Sequence, residues 1–220
     1  MGKIIPIKEA ISLVKDGDTI MIGGFLANGA PEKLIDALVE SGRKDLTLIC
    51  NDTAYVDRGS GKLVVNKQVK KIIASHVGTN KETGRQMAAG ETEVDLVPQG
   101  TLAERIRAKG FGLGGILTPT GLGTLVEEGK QKIVVNGRTY LLEVPLGADI
   151  AFLFADTVDT VGNMVYKGTE NAFTHVMASA ANITVVEARN LVEKGEINPN
   201  AVVTPGIFVN YIVDGGRTNG

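Results

Sequence analysis

Apolar residues fall into two kinds of pattern along this chain. Short runs rich in β-branched residues recur at Thr19 to Ile22 (TIMI), Leu46 to Cys50 (LTLIC), Lys70 to Ser75 (KKIIAS) and Glu93 to Pro98 (EVDLVP), and their length predicts strands. TIMI has no polar face, so it is expected to be covered on both sides, as strands of parallel sheets are. Between these runs, Ile7 to Val14, Glu32 to Glu40, Glu82 to Ala89 and Thr101 to Ala108 predict helices; in the second, Leu34, Ile35, Leu38 and Val39 share one face. Strand alternating with helix predicts an α/β fold with a mainly parallel sheet flanked by helices. Lys132 to Val144 departs from this rhythm, because two alternating runs flank Asn136-Gly137 and so predict an antiparallel hairpin inserted on the sheet. Asp149 to Phe154, Asn163 to Tyr166 and Asn182 to Glu187 predict later strands, Ala172 to Ala181 a helix, and Val202 to Val213 an extended segment on a subunit boundary.

Glycines punctuate the pattern most sharply just after TIMI. Gly23 and Gly24 remove side chains where the strand ends, so the backbone can turn tightly and approach a ligand or another chain, and Phe25 is the large group kept in that corner. Pro31 suits the first helical position, which puts Ala30, with no side-chain acceptor, at the cap. The free N–H groups of that helix start are then expected to face an anionic ligand.

Composition narrows the classes of function. With 220 residues and 43% hydrophobic content, the chain can build one sizeable core, and residues 1–220 are read as one domain. A net charge of -2 with dispersed basic residues and no Trp excludes a nucleic-acid footprint. No apolar run approaches membrane-spanning length, and the N-terminal residues lack the apolar core of a signal peptide. The lone Cys50 cannot form an internal disulfide, which fits a reducing, cytoplasmic setting; two histidines, His76 and His175, do not make a metal cluster.

Ligands of parallel α/β sheets collect at the carboxyl ends of the strands. Three predicted ends carry glycines or amides: Gly23-Gly24-Phe25, Asn51-Asp52 and Gln99-Gly100. An amide donates hydrogen bonds without bringing a charge and can hold a carbonyl oxygen or a carboxylate, which suits acyl chemistry. The same amides would equally serve to satisfy loop backbone.

The whole pattern DGDTIMIGGFLANGAP (Asp16 to Pro31) resembles the signature of the α subunits of family I coenzyme A transferases. SHVGTN (Ser75 to Asn80), GETEVDLVPQGTLAERIR (Gly90 to Arg107) and LTPTGLGTLVEEGK (Leu117 to Lys130) resemble further segments of the acetate, butyrate and succinyl:3-oxoacid enzymes, so the likeness covers nearly the whole chain. The resemblance implies that Gly23, Gly24, Phe25, Leu26, Ala27, Asn28 and Gly29 lie at the coenzyme A and substrate site. It further implies that Gln99 directs its amide at the thioester oxygen and that Asn51 lies at the carboxylate pocket. Asp52 stands where mitochondrial relatives carry a second Asn, which leaves its contact with substrate open. Coenzyme A is implied as co-substrate with no tightly bound cofactor. The nucleophilic Glu is implied on a β subunit, in a hetero-oligomer of α2β2 type handling acyl-CoA and small carboxylic acids.

Two further motifs are set aside. Gly110, Gly112 and Gly115 spell a dinucleotide fingerprint, but it follows a helix where the fingerprint must follow a strand; the loop is expected to shape the acyl pocket instead. Glu170-Asn171 echoes the family's nucleophile context, yet Ala172 replaces the glycine, so Glu170 is read as a loop or helix-start carboxylate. His76 and His175 are assigned packing and surface roles, and Cys50 that of a small buried hydrophobe. The competing reading is a related α/β fold that binds a sugar phosphate, as an isomerase or effector domain.

Overall fold

The computed structural model describes residues 3–216. In chain order its elements are β1 (Lys3–Ile4), α1 (Ile7–Ser12), β2 (Thr19–Ile22), α2 (Glu32–Glu40), β3 (Leu46–Cys50), α3 (Gly61–Val65), β4 (Val69–Ala74), α4 (Lys81–Ala88), β5 (Glu93–Leu96) and α5 (Gln99–Gly110). There follow β6 (Ile116–Thr118), β7 (Lys132–Val135), β8 (Arg138–Glu143), β9 (Ala148–Asp159), β10 (Met164–Val165), α6 (Thr174–Met177), β11 (Ala181–Val192) and β12 (Tyr211–Asp214).

The main sheet runs β1-β12-β11-β9-β2-β3-β4-β5, every neighbouring pair parallel, with β10 antiparallel to β9. TIMI is a central strand, and alternation explains its lack of a polar face: Ile20 and Ile22 enter one core with Leu34, Leu38, Leu48 and Phe152, while Met21 enters the other with Ile49, Ala151 and Leu153. Burying each such side chain contributes about 1.5–3 kcal/mol. From β2 the chain steps outward through β3, β4 and β5, and later builds β11 and β12 beyond β9. The β2/β9 boundary is therefore the switch point at which connections diverge and leave a crevice.

Several expectations need correction. The hairpin is not laid on the main sheet; it joins β6 in a separate antiparallel sheet of order β6-β8-β7. That sheet is tied to α5 by buried Glu143, whose carboxylate meets the Lys130 ammonium at 2.5 Å and lies 3.9 Å from Arg105. The Ala172 to Ala181 helix shrinks to α6, preceded by a 3-10 turn at Gly168–Asn171, because Phe173 takes φ +57 and breaks the register. The apolar tail is not extended throughout: it holds a 3-10 turn at Gly206–Phe208 and then β12, seated between β1 and β11.

Candidate functional site

Beyond β2 the backbone doubles back in four residues. Phe25 N–H donates to the Asn28 carbonyl and Asn28 N–H to the Phe25 carbonyl, both at 2.9 Å, with Leu26 at φ +49 and Ala27 at φ +66. Both central residues of the turn thus sit in the left-handed region without being glycine, which costs roughly 1–2 kcal/mol each. Such strain persists only where the surroundings impose it. Here the Asp52 carboxylate accepts Leu26 N–H at 3.1 and 3.3 Å, and the far end of the loop is wedged against the Glu170 backbone.

Gly29 marks that wedge. At φ +74, a Cβ would stand 2.6 Å from the Glu170 carbonyl oxygen, whereas Gly17, at φ +84, has nothing within 4 Å. Gly17→Ala is expected to lose about 1 kcal/mol from backbone strain alone, and Gly29→Ala about 3 kcal/mol or more, since it adds a clash with main chain. Calorimetry on both variants separates the terms; equal shifts in melting temperature would show that the Glu170 wedge does not constrain the loop.

Three carboxyl edges meet beside this loop. Asn51 directly follows β3, is 1% exposed, and accepts on Oδ1 from the Ser75 hydroxyl at 3.0 Å and from Gln99 Nε2 at 2.9 Å. Gln99 is not in a loop before its helix, as the sequence suggested; it is the first residue of α5, with Pro98 at the cap. Both amides line a cleft of about 280 Å³ with Phe25, Arg107, Phe173 and His175. Phe25 is 42% exposed at the cleft, and Asn51 is its most deeply buried polar lining residue. No carboxylate is among its lining residues, and it lies at the carboxyl edge of the β2 to β5 half of the sheet.

Asp52 escaped the sequence reading as a structural group. It is 4% exposed and accepts from Leu26 N–H, from Ala54 N–H at 2.8 Å and from Asn51 Nδ2 at 3.2 Å, so its oxygens serve the loops. The Ala54 contact is an Asx turn, for which an aspartate just past a strand end is the available sequence signal. Glu170 is likewise occupied: it is buried, with one oxygen 2.7 Å from Arg189 and the other accepting Lys167 N–H at 3.1 Å. Burial pushes the Cys50 thiol far up, with the Asp52 charge adding to it, which agrees with a small buried hydrophobe. His76 is exposed, and His175 lies at the cleft edge with Nδ1 3.1 Å from Asn171 Oδ1.

Two expectations fail here. The glycine-rich loop after α5 lies on the opposite edge: Gly112 and Leu113 border a depression of about 500 Å³ with Thr19, Ala148 and Asn182, at the amino ends of β2, β9 and β11. It cannot shape a pocket around Gln99, and wide as the depression is, it sits where parallel sheets do not bind ligands. The start of α2 does not await an anion either. Pro31 is its cap, and the buried Glu187 carboxylate on β11 accepts Leu34 N–H at 3.0 Å. An internal carboxylate occupies the place a phosphate would take, which removes the helix start as a support for the sugar-phosphate reading.

Glu187 carries a pH signature. Burial raises its carboxyl above the usual range, against the Lys33 and Leu34 N–H groups and the Lys33 ammonium, while Glu32 pushes the same way as burial. A carboxyl raised on folding contributes stability that is complete below the unfolded value and is lost as pH rises through the folded one. Relative to Glu187→Gln, the wild-type protein should therefore gain melting temperature as pH falls from 8 to below the ordinary glutamate value of 4.5. A difference that stays constant over that span would exclude the shift.

The coenzyme A transferase family profile matches residues 4–215. Over 211 residues the chain is 54% identical to acetate CoA-transferase subunit alpha of Escherichia coli (strain K12), covering 96% of each sequence. It is 55% identical over 212 residues to the acetoacetyl-CoA:acetate/butyrate CoA transferase alpha subunit of Clostridium acetobutylicum, covering 96% of this chain and 97% of that one. Among solved structures, glutaconate coenzyme A-transferase from Acidaminococcus fermentans superposes with a TM-score of 0.84 at 21% identity, over 96% of this chain and 75% of that one. An acyl-CoA transferase of Escherichia coli O157:H7, solved as a thioester complex with CoA, gives 0.85 at 23% identity over 96% of this chain. The chain spans about half of that protein, 47% of its length. Identities this low speak for the fold alone.

Proposed function

The chain belongs to the coenzyme A transferase family, and on that premise we propose that it is the α subunit of a two-subunit enzyme of the cytoplasm. The enzyme moves coenzyme A between a short-chain acyl-CoA and a carboxylate such as acetate, butyrate or acetoacetate. Coenzyme A is a co-substrate and no cofactor is held permanently; the assembly is α2β2. The observation that carries the reading is the Gln99–Asn51 amide pair in a cleft lined by no carboxylate of its own.

Chemistry is covalent and ping-pong. A glutamate carboxylate of the β subunit attacks the thioester carbonyl, and the tetrahedral intermediate collapses by expelling coenzyme A thiolate, leaving an acyl-glutamyl anhydride. The thiolate attacks the glutamyl carbonyl of that anhydride and releases the acid. The resulting glutamyl-CoA thioester passes coenzyme A to the acceptor by the same steps reversed. In this chain Gln99 donates to the oxyanion, Asn51 positions the carboxylate, and the Gly23 to Gly29 loop bounds the approach of coenzyme A. Neutral donors suit this task, because charge develops on the oxygen and is then lost.

Initial rates of the assembled enzyme with acetoacetyl-CoA and acetate should give parallel double-reciprocal lines. Lines that intersect, indicating a ternary complex, would reject the covalent scheme.

A further inference from the structure

A thioester whose oxygen meets Gln99 carries its acyl chain onward against a wall of the cleft. Gln99 is the first residue of α5, and that helix lines the cleft with Gln99, Ala103 and Arg107. Residues four apart share one helix face, so the three form a stripe. Ala103 stands about 6 Å and Arg107 about 12 Å along the helix axis from Gln99. We propose that the acyl chain runs along this stripe and that Ala103 is the specificity-determining residue that leaves room for it; the inference rests on the function proposed above.

Gln99 Nε2 gives one N–H to Asn51 Oδ1 at 2.9 Å, and an amide nitrogen carries two, so the second serves the thioester oxygen at the start of α5. Phe25, Phe173 and Val176 line the same cleft, so a hydrocarbon chain there meets carbon at its sides. Phe173 holds φ +57, a conformation that a residue with a side chain adopts only under constraint, and such strain gathers where ligands are clamped. Ala103, half-buried, brings only a methyl group to the stripe. Butyryl extends three carbons past its carbonyl, about 4 Å at ordinary C–C bond lengths, which takes its end to the level of Ala103, whereas acetyl stops short. Arg107 bounds the path beyond: its Nε donates to the Glu104 carboxylate at 3.1 and 3.2 Å, and a longer chain would press apolar carbon against that ion pair.

Ala103→Leu fills the stripe and keeps a residue that favours helix. In the assembled enzyme, kcat/KM is measured for acetyl-CoA and for butyryl-CoA with acetoacetate as the fixed acceptor. In a ping-pong scheme these constants report the first half-reaction, so the acceptor does not enter them. The ratio of butyryl-CoA to acetyl-CoA is expected to fall about tenfold or more, since a single misfitting methylene in an apolar pocket is worth about 10- to 200-fold.

A merely structural Ala103 would move both constants together. An unchanged ratio, whether both constants hold or both fall alike, would overturn the acyl path alone, and parallel-line kinetics of the wild-type enzyme would leave the α-subunit reading standing. A wild-type assembly that transfers coenzyme A from neither donor would overturn that reading and the path with it. Should Ala103→Leu not assemble, Ala103→Gly probes the stripe with the opposite sign. Removing the methyl should raise the ratio of hexanoyl-CoA to butyryl-CoA about threefold or more, and a ratio no higher than that of wild type would equally overturn the path.

Discussion

Assayed without a partner subunit, the chain is expected to transfer no coenzyme A from acetoacetyl-CoA to acetate, and activity should arise only on mixing with the β subunit. The reason lies in what the carboxylates around the cleft already do. Asp52 is held by Leu26 and Ala54 N–H, Glu170 by Arg189 and Lys167 N–H, and Asp156 by Arg189 at 2.6 Å. A nucleophile must be free to lose its partners at the moment of attack, and removing these would leave Arg189, half-buried over the Phe154 ring, without its counter-ions, a large cost. Steady turnover by the pure chain, abolished in Glu170→Gln, would place the nucleophile here and overturn the two-subunit reading.

Gln99→Ala in the assembled enzyme should lower kcat by about two orders of magnitude, the effect of losing one oxyanion donor, roughly 3 kcal/mol. Its KM for acyl-CoA should stay within a few-fold of wild type, because the donor matters as charge forms on the oxygen and little before. Gln99→Glu should be at least as harmful, since it turns an acceptor with a negative charge toward Asn51 Oδ1 and toward substrate. Stability should change little in the Ala variant: Gln99 is exposed, and Asn51 Oδ1 keeps the Ser75 hydroxyl. An unstable variant with normal kcat would make Gln99 a brace for Asn51 and remove it from the mechanism.

The central strands were legible because both their faces are covered. TIMI and LTLIC coincide with β2 and β3, since a run without a polar face has few other homes. β9 and β11 extend to 12 residues each, twice what the pattern suggested, because their second halves mix polar groups into strand: Asp156 and Thr157 in one, Arg189 and Asn190 in the other. α3 has five residues between turns, too short to show periodicity. Asn51 and Gln99 could each be picked out as an amide past a strand end. Their bond to one another could not, because it joins positions 48 residues apart. Nor does anything local announce that Glu187 caps α2 from 153 residues away; the bare Ala30-Pro31 start suggested an empty anion site, and a distant carboxylate fills it.

The seat of β12 matters for how the chain reaches this state. Tyr211 pairs with Val185 on one side and Lys3 on the other, so among the described residues β1 joins the sheet through β12 alone. While synthesis proceeds, β2 to β5 can pair with β9 and β11, but β11 then presents an apolar parallel edge with no neighbour, open to other chains. At about 5–20 residues per second that edge stays uncovered while the stretch from residue 193 to residue 214 is made and clears the ribosome, a span of seconds. A stall just before Tyr211 would leave β1 unpaired and a sticky edge exposed, so aggregation in the cell should depend on translation speed across this stretch as well as on the stability of the finished fold.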